Sequence, residues 1–293
     1  MIEIKGVSKS FGATKALDRV DLTLNDGVTG LVGENGAGKS TLLRCIAGVL
    51  NPEEGRIIID GLDRNEIKAK SEIYFLSDFP YSPPSSTIDK VYEFYSCFYD
   101  FDLDRFHEIL THFSLPPKGA INNFSKGMRR QLFVALALSA KTRYLLMDEA
   151  FDGLDPIALD AIKGEIISEK ENGRTILISS HNIATLEKLA DRFVMLSSGR
   201  LSLNEENHNL GRSFVKYQAF FENNPTELEL ASLCSLISYR KIGSVLNFVI
   251  EEDEEAIAKI KDAYKPKFIE MVNIDSDELV TLAMIKARKE SEK

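Results

Sequence analysis

The chain has 293 residues, more than the roughly 100–200 of a usual domain, so one large or two unequal domains are expected. Hydrophobic residues make up 44% and charged residues 28%, the balance of a globular protein with a real core. The formal net charge of −9 argues against a broad nucleic-acid footprint, which needs clustered Lys and Arg, but not against a small basic nucleotide site.

Cys45, Cys97 and Cys234 are far apart and odd in number, with no C-x-x-C spacing. That pattern disfavours a metal site or a disulfide framework and fits a reducing, intracellular compartment. The opening MIEIKGVSKSFG lacks the apolar core of a signal peptide. No stretch approaches the roughly 18 apolar residues that span a bilayer. The chain is therefore expected to reach a membrane only by docking onto a protein that crosses it.

In chain order, Ile2–Lys5, Val20–Leu24 and the compact apolar run Val28–Val32 read as strands, the last ending at a glycine. A helix is predicted over Lys39–Val49, then strands at Gly55–Asp60 and Ile73–Leu76. Between Thr87 and Thr111 lies an aromatic-rich stretch, read as helical and separate from the sheet, bracketed by Pro83-Pro84 and Pro116-Pro117. A helical pattern over Ser125–Ala140 precedes a buried strand, Tyr144–Met147, that ends in Asp148-Glu149. A helix over Pro156–Glu171, a strand over Thr175–Ser179, a helix near Ile183–Leu189 and a hairpin pair, Phe193–Leu196 with Arg200–Leu203, follow. Strands alternating with helices imply a mostly parallel sheet covered on both faces.

The polar stretch 204–212 reads as a linker. Beyond it, strand-like runs Phe214–Phe221 and Val245–Glu251 alternate with helical runs Asp253–Ala263 and Asp277–Lys289, a small α+β region over 213–293. The acidic run Glu251–Glu255 reads as a solvated loop or a helix start.

Gly33-Glu34-Asn35-Gly36-Ala37-Gly38-Lys39-Ser40 fits G-x-x-x-x-G-K-[ST], between a predicted strand and a predicted helix that continues through Thr41. Glycines let the backbone curl so that successive N–H groups point at phosphate oxygens, and the following helix turns its positive end to the same anion. Lys39 would then reach the β- and γ-phosphates, and Ser40 would offer its hydroxyl to Mg²⁺. A carboxylate at a strand tip beside such a loop suits the second magnesium anchor, here Asp148, and the adjacent Glu149 can polarise water as a general base. An acidic turn after a strand is the plainer alternative.

With these motifs the chain resembles the ATP-binding subunit of an ABC transporter over residues 1–203. Phe11, in Ser-Phe-Gly, stands where the family's aromatic stacks on adenine. Asn123-Phe-Ser-Lys-Gly-Met-Arg-Arg-Gln131 resembles the family signature, with Ser125 and Gly127 in its Ser and second Gly positions. Gly153-Leu-Asp155 resembles the loop after Asp-Glu, and His181 follows Ser179-Ser180 as the switch histidine does.

The resemblance implies an α/β P-loop NTPase fold: a mostly parallel core sheet, an antiparallel β subdomain and a helical subdomain at about 80–140. It also implies ATP and Mg²⁺ as ligands and a homo- or heterodimer with another ABC ATPase subunit. In that dimer Ser125 and Gly127 meet the γ-phosphate held by the partner, and integral-membrane permease subunits complete the transporter. The chain would sit in the cytoplasm, peripheral on the inner face of the cell membrane, with no direct nucleic-acid partner.

Two positions depart from the family pattern. Lys126 replaces the first signature glycine, a variant resembling bacterial ABC-2-type exporters, and either approaches the γ-phosphate or projects into solvent. Asp78 stands where a switch glutamine is usual; a carboxylate there could coordinate Mg²⁺. An exporter ATPase is the leading expectation. The alternatives are a non-transport ABC clamp acting on the ribosome or DNA, and a regulatory nucleotide-binding subunit. The aromatic stretch Tyr92–Phe106 is interleaved with Asp and Glu, which favours packing and permease docking over base stacking.

Overall fold

The computed structural model describes residues 1–116, 119–181, 183–206, 214–251 and 253–274, with 278, 279, 281, 282, 285, 286 and 289 toward the end. The chain divides into two compact units, Met1–Asn204 and Glu205–Lys293. Linker residues 207–212, and 277, 280, 283, 284, 287 and 288 within the expected helix 277–289, lie outside the described residues.

The first unit opens with β1 (Ile2–Phe11), β2 (Thr14–Leu24) and β3 (Gly27–Val32), followed by α1 (Lys39–Ile46). β4 (Glu54–Ile59), β5 (Leu62–Asp63), α2 (Ile67–Ser71) and β6 (Ile73–Leu76) come next. Strands β2, β1, β4 and β5, in that order, form an antiparallel sheet. β1 and β2 run much longer than Ile2–Lys5 and Val20–Leu24. The apolar runs cover only part of each strand; the outer half, Lys9–Phe11 against Thr14–Leu17, is paired through the main chain and anchored by Glu53, which accepts from Lys9 Nζ at 3.2 Å and from the Ser10 N–H at 3.1 Å.

Helices α3 (Ile88–Ser96) and α4 (Leu103–His112) are capped by Thr87 and Asp102, whose side chains accept the N–H groups of Lys90 and Arg105. They precede α5 (Lys126–Ser139), capped by Ser125. The aromatic stretch is not separate from the sheet: the Tyr99 ring lies 4.7 Å from that of Tyr74 on β6. Tyr92 meets Phe106 at 5.0 Å, so these rings close the seam between helices and sheet.

Strand β7 (Tyr144–Met147), α6 (Pro156–Glu171), β8 (Thr175–Ser179), α7 (Ile183–Glu187), β9 (Arg192–Ser197) and β10 (Arg200–Glu206) complete this unit. The core sheet runs β10-β9-β3-β8-β7-β6, with β9, β3, β8, β7 and β6 mutually parallel. β7 and β8 are buried at every residue, as parallel strands covered on both faces must be. One core joins the two sheets around α1, drawing in Ile2, Val20, Leu42, Ile46, Ile57 and Leu146.

In the second unit, β11 (Phe214–Phe220), α8 (Glu227–Leu233), β12 (Leu236–Ile242), β13 (Val245–Glu251), α9 (Glu254–Tyr264) and β14 (Phe268–Val272) build an antiparallel sheet in the order β12-β13-β11-β14. Ala219, Leu230, Phe248, Ala256 and Ile260 form its core. Thr226 and Glu229 close a reciprocal capping box on α8. The acidic run is a helix start: Asp253 accepts the N–H groups of Glu255 and Ala256.

Candidate active site

Sheet register assembles the site. β3, β8, β7 and β6 lie side by side, and Leu31 pairs with Ser179, Ile178 with Met147, and Met147 with Leu76. The residues that follow these strands therefore emerge at one carboxyl edge, where α/β sheets gather ligands. They are Gly33–Ser40 after β3, His181 after β8, Asp148-Glu149 after β7 and Asp78 after β6.

The loop from Gly33 to Lys39 is curled as its glycines allow. Gly36 sits at φ 82° and Gly38 at φ 108°, and Gly33 at φ 152° lies so close to Leu196 that a Cβ would meet its carbonyl oxygen at 2.4 Å. At Gly38 a Cβ would fall 2.4 Å from the Ala16 carbonyl oxygen. The Ser198-Gly199 turn abuts the same carbonyl, and Gly199 donates its N–H to Ala37 C=O at 3.1 Å. Ala37 donates to Glu34 C=O, leaving Asn35 and Gly36 at the loop's tip.

Lys39 is buried at the mouth of α1, with Ser40 and Thr41 in that helix's first turn. Its ammonium donates to Gly33 C=O at 2.7 Å and Glu34 C=O at 3.3 Å and lies 3.7 Å from Glu149 Oε1. The other carboxylate oxygen of Glu149 meets His181 Nδ1 at 2.9 Å. Glu149 is thus held between Lys39 and His181, on a main chain at φ 48°, a left-handed conformation that costs a non-glycine residue on the order of 1–3 kcal/mol.

Asp148 is fully buried. Its Oδ1 accepts from Ser40 Oγ at 3.1 Å and from Ser179 Oγ at 2.6 Å, while its Oδ2 is buried with no hydrogen-bond partner among the described residues. An orphaned buried carboxylate oxygen beside a serine hydroxyl is a donor set Mg²⁺ takes. That ion needs only one or two protein oxygens when phosphates and water supply the rest. Among the described residues no group of three or more His, Cys, Asp or Glu side chains is placed to hold a metal.

Asp78 reaches the same edge in an ion pair: Arg130 Nη2 donates to its Oδ1 at 2.9 Å. Partial burial pushes the Asp78 carboxyl up; Arg130 opposes that, and Asp148, Asp152 and Glu149 add to it. Burial likewise lowers the affinity of Arg130 for its proton. Lys126 projects into solvent, its side chain 70% exposed, where it pairs with Asp152 at 2.7 Å while its stem packs over Gly153.

Ser125 and Gly127 do not join the Lys39–Glu149 cluster. Ser125 Oγ caps α5 by accepting the Met128 N–H at 3.1 Å, and a Cβ at Gly127 would come 2.9 Å from Gly153 C=O. Asp155 caps α6 through the N–H groups of Ile157 and Ala158. Phe11 is half-exposed at the end of β1, with Lys9 Nζ 5.6 Å from its ring centre. Sequence reasoning missed Ser179 and Arg130. Both lie inside segments that carry the family resemblance, Arg130 in the signature-like run and Ser179 just before His181, but at positions to which the resemblance gives no role.

A phosphate loop at the carboxyl edge of a parallel sheet, with Asp-Glu on a neighbouring strand tip, defines a P-loop nucleoside triphosphatase. Residues 17–152 match the ABC transporter family model. The ABC transporter ATP-binding protein YtrB of Bacillus subtilis (strain 168) is 27% identical, over 79% of this chain and 80% of its own length. The probable sulfate/thiosulfate import ATP-binding protein CysA of Chlorella vulgaris is 32% identical, over 68% of this chain and 89% of its own. A solved ATP-binding subunit of an ABC transporter aligns with TM-score 0.67 at 27% identity, covering 72% of this chain and 92% of that one. The chain belongs to the ABC transporter family as an ATP-binding cassette, an ATPase.

Proposed function

We propose that this cassette powers an ABC exporter through separate membrane subunits, with Glu149 as the base that draws the proton from the attacking water. The observation that carries the reading is the Glu149 carboxylate held between Lys39 at 3.7 Å and His181 at 2.9 Å. Lys39 neutralises phosphate charge, and exposed His181 steadies charge gathering on the γ-phosphate. Main-chain N–H groups of Gly33–Ser40 and the amino end of α1 hold the phosphates, and Phe11 offers its ring to adenine. Ser40 and Asp148 would hold Mg²⁺, which would supply charge neutralisation to the bound phosphates. Glu149, poised by two partners, is the group that accepts a proton.

Ser125, Gly127 and Asp155 lie away from the Lys39–Glu149 cluster and are read as the surface that completes a second subunit's site. The exposed rings of Phe79, Tyr81 and Phe98 are read as the place where a permease helix docks. Among the described residues no helix is long and apolar enough to cross a membrane. Residence on the inner membrane face would follow from that docking. Lys126, the exporter-like signature variant, favours export.

Phosphate release by Glu149→Gln tests the base: turnover is expected to fall roughly 100-fold or more, the usual worth of general-base catalysis, with ATP still bound. Wild-type turnover would overturn the assignment. Recovery of the tagged chain from solubilised membranes with a polytopic subunit supports transport, whereas recovery with ribosomes points to a clamp. In inside-out vesicles containing the assembly, external ATP should drive solute inward if the direction is export.

A further inference from the structure

Arg130 is a buried guanidinium at this edge that the reading above leaves without a task. It projects from α5 with a side chain only 5% exposed. One planar group serves acceptors from two strand tips: Nη1 donates to Ser77 C=O at 3.1 Å, and Nη2 to Asp78 Oδ1 at 2.9 Å and to Glu149 C=O at 2.8 Å. The last bond falls on a residue whose φ of 48° needs support from its surroundings.

Only a guanidinium can do this. Its fork of N–H donors spans several acceptors in fixed directions, whereas an ammonium of equal charge on a flexible stem cannot. The arrangement also accounts for a carboxylate at position 78. A buried cation beside main-chain carbonyls needs a counter-charge, and a neutral amide there would not supply one.

We propose that Arg130 is a positioning residue for hydrolysis, fixing the main chain of Glu149 at the tip of β7 and tying it to the Ser77-Asp78 segment after β6. A displacement of that segment is then passed through one rigid group to the Glu149 carboxylate. This inference rests on the reading of Glu149 as the base.

The test measures phosphate release and binding of a fluorescent ATP analogue by the full chain carrying Arg130→Lys, Asp78→Asn, Glu149→Gln, or Arg130→Lys with Glu149→Gln. Arg130→Lys is expected to lower kcat on the order of ten- to a hundred-fold, the effect of a reacting group misplaced by an ångström or less. Nucleotide affinity should stay within about two-fold, because the phosphate loop is untouched. Asp78→Asn, which keeps an acceptor but removes the counter-charge, should lose less. In the Glu149→Gln background Arg130→Lys should add no further loss, since it acts through Glu149.

Wild-type kcat in Arg130→Lys beside an inactive Glu149→Gln overturns the positioning role alone, as does a multiplicative loss in the double variant. Wild-type turnover in Glu149→Gln overturns the base, and this inference with it. Should Arg130→Lys not fold, the pair Arg130→Gln with Asp78→Asn removes both charges together and carries the same expectations.

Discussion

Ser179 donates its hydroxyl to Asp148 Oδ1 across 2.6 Å, both residues fully buried on adjacent parallel strands. The Ser179 hydroxyl oxygen in turn accepts the N–H of Glu149 at 3.0 Å. A single hydroxyl therefore fixes both a carboxylate rotamer and the main chain of the next residue.

Ser179→Ala removes both bonds without changing the strand. Hydrogen bonds to charged groups are worth about 1.5–3 kcal/mol, so the unfolding midpoint in urea should fall by a corresponding amount. Turnover is expected to drop roughly ten-fold as Glu149 loses an anchor. A variant with the midpoint and turnover of the parent would show that Asp148 and Glu149 are held by other contacts.

Gly38→Ala combines a left-handed φ of 108° with a Cβ 2.4 Å from the Ala16 carbonyl oxygen, a main-chain atom that cannot swing away. We expect a loss of about 1–3 kcal/mol in chemical denaturation and at least a ten-fold weaker affinity in an ATP titration. Gly164→Ala is the contrast. That glycine lies within α6 with nothing near its added Cβ, and alanine there should stabilise by about 0.5–1 kcal/mol.

Stability at acid pH depends on Asp18. Hydrogen bonds from Lys15 and Arg200, the latter at 2.6 Å through Nε, hold its carboxyl at about 2 against an ordinary 3.8. A depressed folded-state value stabilises above the unfolded value and is lost as the pH falls between the two. Urea midpoints taken between pH 5 and pH 2 should therefore fall more steeply in the parent than in Asp18→Asn, over the window from about 4 to about 2. Both cationic partners are half-exposed or more, so added salt should shrink the difference. Parallel slopes would contradict the assignment.

Much of the first unit was legible because its buried strands are short uninterrupted apolar runs: Tyr144–Met147 and Thr175–Ser179 form over the residues their hydropathy marks. Strand neighbours were not legible. β8 follows β7 in sequence yet separates it from β3, and it is this insertion that sets Ser179 beside Asp148. In the second unit β12 escaped notice because its burial fades along its length, leaving no alternation, and β14 because none of its residues is buried. Lys39, Ser40, Asp148 and Glu149 announced themselves by spacing. Arg130 did not: the signature-like run gives its second arginine no role, and only the packing of α5 against the tips of β6 and β7 takes it out of water.

The crowding around the Ala16 carbonyl, shared by Gly38 and the Ser198-Gly199 turn, bears on how this cassette tolerates recombination. Exchanging the β9–β10 turn for a longer one from a relative would press on Ala16, and through Gly199 on Ala37, without altering any residue between Gly33 and Ser40. Such chimeras should fold around an intact sheet and still bind nucleotide poorly, their defect lying some 160 residues downstream of the loop that shows it.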